Sequence, residues 1–158
     1  AIQVFATEKS TSLSKAIETR NEEQKAAEKK IKSDDTSLLK KFGDENRHLL
    51  SESSAASIYR VFVDTTNPIG FGLGSEWFVM KRAQAYPFLP NGSNIGYILE
   101  SKPVAGFAGY KYQKQMRNTL VIGSEPAGSG EVIYITENPY FRAFWKSGRA
   151  LIWNTVFR

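Results

Sequence analysis

The sequence predicts an α/β domain with a mixed sheet and flanking helices, and three observations carry that prediction. Short runs of β-branched and aromatic residues recur between residues 58 and 135, each bounded by Gly, Pro, Asn or Asp. Helical patterns flank them, over residues 11–32 and from about Gly148 to Phe157. Every aromatic residue except Phe5 and Phe42 lies beyond residue 57, so the core belongs mainly to the C-terminal part.

At 158 residues the chain is one domain, 1–158, large enough to bury a real core. Its hydrophobic content of 41% and charged content of 23% are ordinary for a globular protein. No run approaches the ~18 apolar residues that would span a bilayer, and Ala1 does not open a signal peptide. The strand-like start Ile2-Gln-Val-Phe5 is abrupt, which suggests that a longer polypeptide continues upstream. The charge is distributed unevenly: acidic and basic side chains cancel over residues 1–57, so the whole +5 comes from residues 58–158. Those basic residues are scattered rather than blocked, so no nucleic-acid partner is expected.

Taken in order, the polar segment 8–57 reads as a helical insertion or surface segment. Within it, residues 11–32 carry only a thin apolar stripe, Leu13, Ala16, Ile17, Gln24, Ala27 and Ile31, with Glu28 and Lys32 at helical pairing distance. Ser33-Asp34-Asp35-Thr36 supplies caps for a short second helix, Leu38 to Phe42, ended by Gly43. A polar stretch from Asp44 to Ser57 leads out of it.

The strands then follow. Ile58–Val63 alternates and ends in the turn Asp64-Thr-Thr-Asn-Pro68; Trp77–Met80 is the second run, and Asn94–Leu99 the third. Tyr86-Pro-Phe-Leu-Pro90 is an extended edge or loop, because two prolines disfavour a central strand. Tyr110–Met116 fits one or two polar helical turns. Thr119–Gly123 and Val132–Ile135 form a hairpin through Glu125-Pro-Ala-Gly-Ser-Gly130. The glycines Gly70, Gly72 and Gly74 lack the spacing of a phosphate loop and suit close backbone approach instead.

Little in the chain suggests catalysis. There is no cysteine, so thiolate metal sites and Cys nucleophiles are excluded. The single histidine, His48, cannot assemble a zinc site by itself. Ser75 and Ser124 lack the G-x-S-x-G elbow, and Asp64, Glu76, Glu125, Glu131 and Glu137 show no pairing in sequence. No catalytic and no metal-binding residue is therefore assigned. The most site-like stretch is Glu137-Asn-Pro-Tyr140-Phe-Arg142-Ala-Phe-Trp145, where an arginine among aromatics could clamp a carboxylate or stack beneath a ring. With Asp64, the residues Arg142, Trp145, Tyr140 and Glu137 are the candidate binding residues. The simpler reading is that the aromatics cap the sheet.

These residues carry a resemblance. The last stretch, Glu131-Val-Ile-Tyr-Ile-Thr-Glu-Asn-Pro-Tyr-Phe-Arg-Ala-Phe-Trp145 with Leu151-Ile-Trp-Asn154-Thr-Val-Phe157, resembles the C-terminal end of bacterial zinc carboxypeptidase-family proteins. Their pattern there is roughly V-I-x-F, then D/E-N-P-x-F-R-G-F-W, then L-x-x-N-A-x-F. Asp64-Thr-Thr-Asn-Pro-Ile-Gly-Phe-Gly72 is similar to their D-x-T-H-P-L-x-F-G segment. The resemblance implies a flavodoxin-like, three-layer domain similar to class I glutamine amidotransferases, incomplete at its N-terminus. It further implies a non-catalytic accessory role beside a zinc peptidase domain of the same polypeptide, in a periplasmic or secreted protein. Zinc would then belong to the parent's catalytic domain, and no cofactor to this chain. Two departures stand out: the family histidine is Asn67 here, and the amidotransferase cysteine is missing. The alternatives are a small-ligand or peptide-binding module centred on Arg142, and a serine- or carboxylate-based hydrolase.

Overall fold

The computed structural model describes residues 17–23, 25, 42–82, 84–143 and 145–157. Over these the chain is α/β, with a curled antiparallel sheet and four helices. The expected strand at Ile2–Phe5, most of the 11–32 helix, and residues 38–41 of the expected second helix lie outside the described residues. Residues 17–23 are helical (α1).

The second helix, α2, spans Phe42–Glu52 rather than stopping at Gly43, so the supposed polar lead-out is itself helical. The reason is local. Asp44 and Glu45 fall in the first turn, where carboxylates suit the helix dipole, and Asp44 pairs with Arg47 at 3.8 Å. Glycine near a helix start costs little there.

The strands form at the predicted runs: β1 (Ala56–Val63), β2 (Glu76–Lys81), β3 (Ser93–Ile98), β5 (Thr119–Ala127) and β6 (Gly130–Ile135). A further short strand, β4 (Ala105–Phe107), precedes α3 (Tyr110–Met116), and α4 (Gly148–Val156) closes the described chain. The order is β2-β1-β3-β5-β6, with β4 paired to β1 beside β3. The hairpin β5–β6 turns through Gly128-Ser129, with Ala127 facing Gly130.

Every strand pairing among the described residues is antiparallel, so the expected mixed sheet does not form. A parallel pair needs a crossover that carries the chain back along the strand. Between β3 and β5, β4 runs on along β1 in the direction of β3, so the chain reaches β5 from the far end and returns antiparallel.

The curl has identifiable causes. On one side β1 pairs fully with β2; on the other it meets β4 at Ala56–Ile58 and β3 only at Phe62 and Val63. The β3–β5 register shifts around Gly96, and such irregularities bend a sheet. At Gly96 a Cβ would lie 2.9 Å from the Ile122 side chain, so glycine lets the strands approach there.

The concave face holds the main core. Ser57, Tyr59, Val61 and Val63 point inward from β1, opposite Lys81, Val79 and Trp77 of β2. Ile95 and Ile98, Tyr112 and Met116 of α3, Ile122 and Leu151 of α4 complete it. Each fully buried aliphatic side chain contributes roughly 1.5–3 kcal/mol. A smaller cluster, Leu89 and Leu120 with Tyr86, Tyr134 and Ile17, lies apart from it. There the 86–90 segment straps β5 through a Tyr86–Leu120 bridge, and the Asn94 side chain bonds both backbone groups of Leu89. Extended rather than central, this segment matches the expectation. Arg20 of α1 donates to the Gln115 carbonyl at 3.0 Å.

The core tyrosines yield a pH test. Burial, eased by a Ser57 hydrogen bond, pushes the Tyr59 phenol from 10.0 up to about 12. Burial also raises Tyr112, with the charges of Tyr59 and Glu137 adding to it. The folded state therefore keeps these protons after the unfolded chain has lost them. Their contribution is intact below pH 10 and is lost as the pH climbs toward about 12. A phenolate-absorbance titration of the 7 tyrosines should show a late group that shrinks in Tyr59→Phe. All seven ionising together near the ordinary value in folded protein would contradict this.

Candidate functional site

The stretch after β6 is built as a tight turn. The Asn138 Oδ1 accepts from the Tyr140 backbone N–H at 2.8 Å, folding the chain over Pro139. A 3₁₀ turn at Phe141–Ala143 follows, in which Arg142 takes a left-handed backbone conformation with φ 48°. That conformation is uncommon for a residue with a Cβ and turns its side chain outward. The exposed Arg142 guanidinium lies 5.4 Å from the Phe141 ring centre, and Arg82 reaches the same ring at 5.2 Å. Trp145 tilts against Phe141 at 6.3 Å. The helix α4 then starts hard against this turn: a Cβ on Gly148 would collide with the Pro139 carbonyl.

Beneath the turn lies the chain's most demanding electrostatic feature. Lys81, at the end of β2, is fully buried, and its Nζ donates to Glu137 Oε1 at 2.6 Å. The ammonium also sits 5.4 Å from the Tyr86 ring centre. Burial pulls the Lys81 pKa down, and Glu137 opposes that through charge and hydrogen bond. The Tyr86 phenol is raised, by burial first and then by the Glu137 charge. A lysine held this way is neutralised and covered, so it is not presented to a substrate.

A second constellation forms between the loop after β1 and α4. The Asp64 carboxylate accepts from the Thr66 hydroxyl at 2.6 Å and from its N–H at 2.9 Å. These hydrogen bonds, the hydroxyl first, hold the Asp64 pKa below its ordinary value. Asn67 caps the 3₁₀ turn Pro68–Gly70 by accepting from the Ile69 N–H. From α4, Asn154 Nδ2 donates to the carbonyls of Ile69, at 3.1 Å, and Phe71, at 2.7 Å. Between loop and helix opens a cavity of about 460 Å³, lined by Thr65, Thr66, Asn67, Pro68, Phe71, Trp153, Asn154 and Phe157. Trp153 and Phe157 stack with ring centres 4.8 Å apart and planes 22° apart. A smaller recess of about 360 Å³ lies at Leu99–Lys102 and Arg117.

The candidate residues thus separate. Glu137, Tyr140, Arg142 and Trp145 share one turn, with Glu137 committed to Lys81 and Arg142 outside both cavities. Phe144 lies outside the described residues. Asp64 belongs to the other constellation, where it shapes the rim. The sequence reading missed Lys81, Phe71, Trp153 and Phe157 as site-forming residues. Trp153 and Phe157, four apart on a helix, were the available signal. So was the inward alternation Trp77, Val79, Lys81. His48 sits on the exposed α2, Ser75 is exposed and Ser124 buried, and among the described residues no hydrogen bond joins His48 to either serine. Among the described residues no three His, Asp or Glu side chains cluster as a metal site, and no helix is long and apolar enough to cross a membrane. No protein-family model, curated protein or solved structure matches the chain.

The ion pair and the turn above it predict opposite mutational responses. Glu137→Gln leaves a buried ammonium without its counter-charge and should cost about 3 kcal/mol. Arg142→Ala removes an exposed side chain and should cost less than about 0.5 kcal/mol. Urea denaturation checks both; equal effects would show that Lys81 is not buried with Glu137.

Proposed function

We propose that this chain is a non-catalytic accessory domain of a zinc carboxypeptidase-like protein, packed against or assisting the peptidase domain of the same exported polypeptide. The observation that supports this reading most is where the motif residues go. Asp64 and Thr66 bond each other, Asn67 caps a turn, Asn138 folds the Pro139 turn, and Glu137 holds Lys81. Asn154 joins the two motif blocks by reaching the Ile69 and Phe71 carbonyls. Residues that a catalyst would direct at a substrate are here used to hold turns and edges.

Asn67 fits the same pattern. Where the resembled segment carries histidine, this chain has a capping side chain that accepts from the Ile69 N–H at 2.9 Å. In this reading the antiparallel sheet is the closing part of a flavodoxin-like, amidotransferase-like domain. Zinc belongs to the neighbouring peptidase domain, which performs the proteolysis. The exposed Arg142 beside Tyr140, 45% exposed, keeps a ligand-binding module as the second reading.

The coding sequence upstream of Ala1 tests the proposal. It should encode a peptidase domain bearing an H-x-x-E zinc motif. An upstream region without such a domain overturns the reading.

A further inference from the structure

We propose that the cavity between the 64–71 loop and α4 is a binding site for a neutral pyranose sugar. Its floor is aromatic and open: Phe71 is 73% exposed, Trp153 60% and Phe157 70%. Large apolar side chains clustered at this exposure commonly mark a binding surface. The volume, about 460 Å³, falls within the range of small-molecule sites and suits one or two sugar rings.

The shape of the aromatic floor narrows the ligand class. Trp153 and Phe157 stack at 4.8 Å, so no proline or side-chain ring can enter between them. Stacked face to face, the pair leaves its outer ring faces and shared edge to a ligand. The apolar face of a pyranose, with its axial C–H groups, can lie on a single outer ring face of this kind.

The rim supplies what the sugar's edge requires. Among the described residues no charged side chain lines the cavity, which suits a neutral ligand. Among the described residues, Thr65 Oγ1 and Asn67 Nδ2 make no hydrogen bond. Asn67 engages only its Oδ1, in the bond to Ile69 N–H. Both amide protons of Asn154 are used on the Ile69 and Phe71 carbonyls, which leaves its Oδ1 as an acceptor. The Thr66 hydroxyl donates to Asp64 and can still accept. A donor, two acceptors and an amphoteric hydroxyl around an aromatic floor match adjacent sugar hydroxyls, each of which both donates and accepts. The rim is also pre-set, because Asp64 and Asn154 hold the loop before any ligand arrives.

The inference is independent of the accessory-domain reading. The test uses the three indole N–H signals of Trp77, Trp145 and Trp153 in a proton–nitrogen correlation spectrum. The folded chain is titrated separately with cellotriose, maltotriose and chitotriose. At least one should shift the Trp153 signal saturably, with a dissociation constant on the order of a millimolar, while buried Trp77 stays fixed. Trp153→Ala, at an exposed position, should keep the spectrum dispersed and weaken binding at least tenfold; Thr65→Val should weaken it severalfold. No saturable shift with any of the three sugars overturns the proposal. So does binding that survives Trp153→Ala, or a Trp153 shift produced by hexaproline and by none of the sugars.

Discussion

The ion pair between Lys81 and Glu137 is the constraint on which the rest of this structure depends. In the strand order β2 and β6 are the two ends of the hydrogen-bonded path, and backbone ladders alone leave them apart. Lys81 closes β2 and Glu137 follows β6, so their 2.6 Å contact joins the two ends across the concave face. A buried ammonium is costly unless its charge is matched at close range. That requirement makes the pair selective as well as attractive, because an opened sheet would strand a charge. The turn at Pro139 is tied to the pair by sequence, and α4 is seated on that turn through Gly148. Leu151 then enters the core from α4.

How much of this could be read in advance differs by element. The strands were legible because each is a run of β-branched and aromatic residues bounded by turn residues; Ile58–Val63 and Val132–Ile135 are both inside observed strands. The hairpin and the last helix were legible for the same kind of reason. The pairing of strands was not, because direction and neighbour depend on where each connection carries the chain, and β4 takes it onward past β3 instead of back. The helix α2 was misjudged at Gly43, where a favourable acidic first turn outweighs glycine's poor helix propensity.

The site was partly legible. The stretch around Arg142 was recognisable as unusual, yet its features serve the turn: a left-handed residue, a side-chain cap and a ring approached by two guanidinium groups. Lys81 occupies an inward position by simple alternation, but a lysine in a strand reads as solvent-facing until its partner is known. Glu137 lies 56 residues away, so no local pattern could pair them. The aromatic cavity draws on Phe71 and on Trp153 with Phe157, segments that Asn154 brings together through its side chain. Polar residues of this chain are largely engaged in architecture. The aromatics left exposed beside them are what the surface has to offer a ligand.

The closure of the sheet is tested most directly by nitrogen-detected correlation spectroscopy of the lysine ammonium groups. The account predicts one ammonium, assigned to Lys81 through its loss in Lys81→Met, whose protons exchange slowly with water and show nuclear Overhauser contacts to Glu137 and the Tyr86 ring. A Lys81 ammonium that exchanges as fast as the surface lysines, with no contact to Glu137, would contradict it.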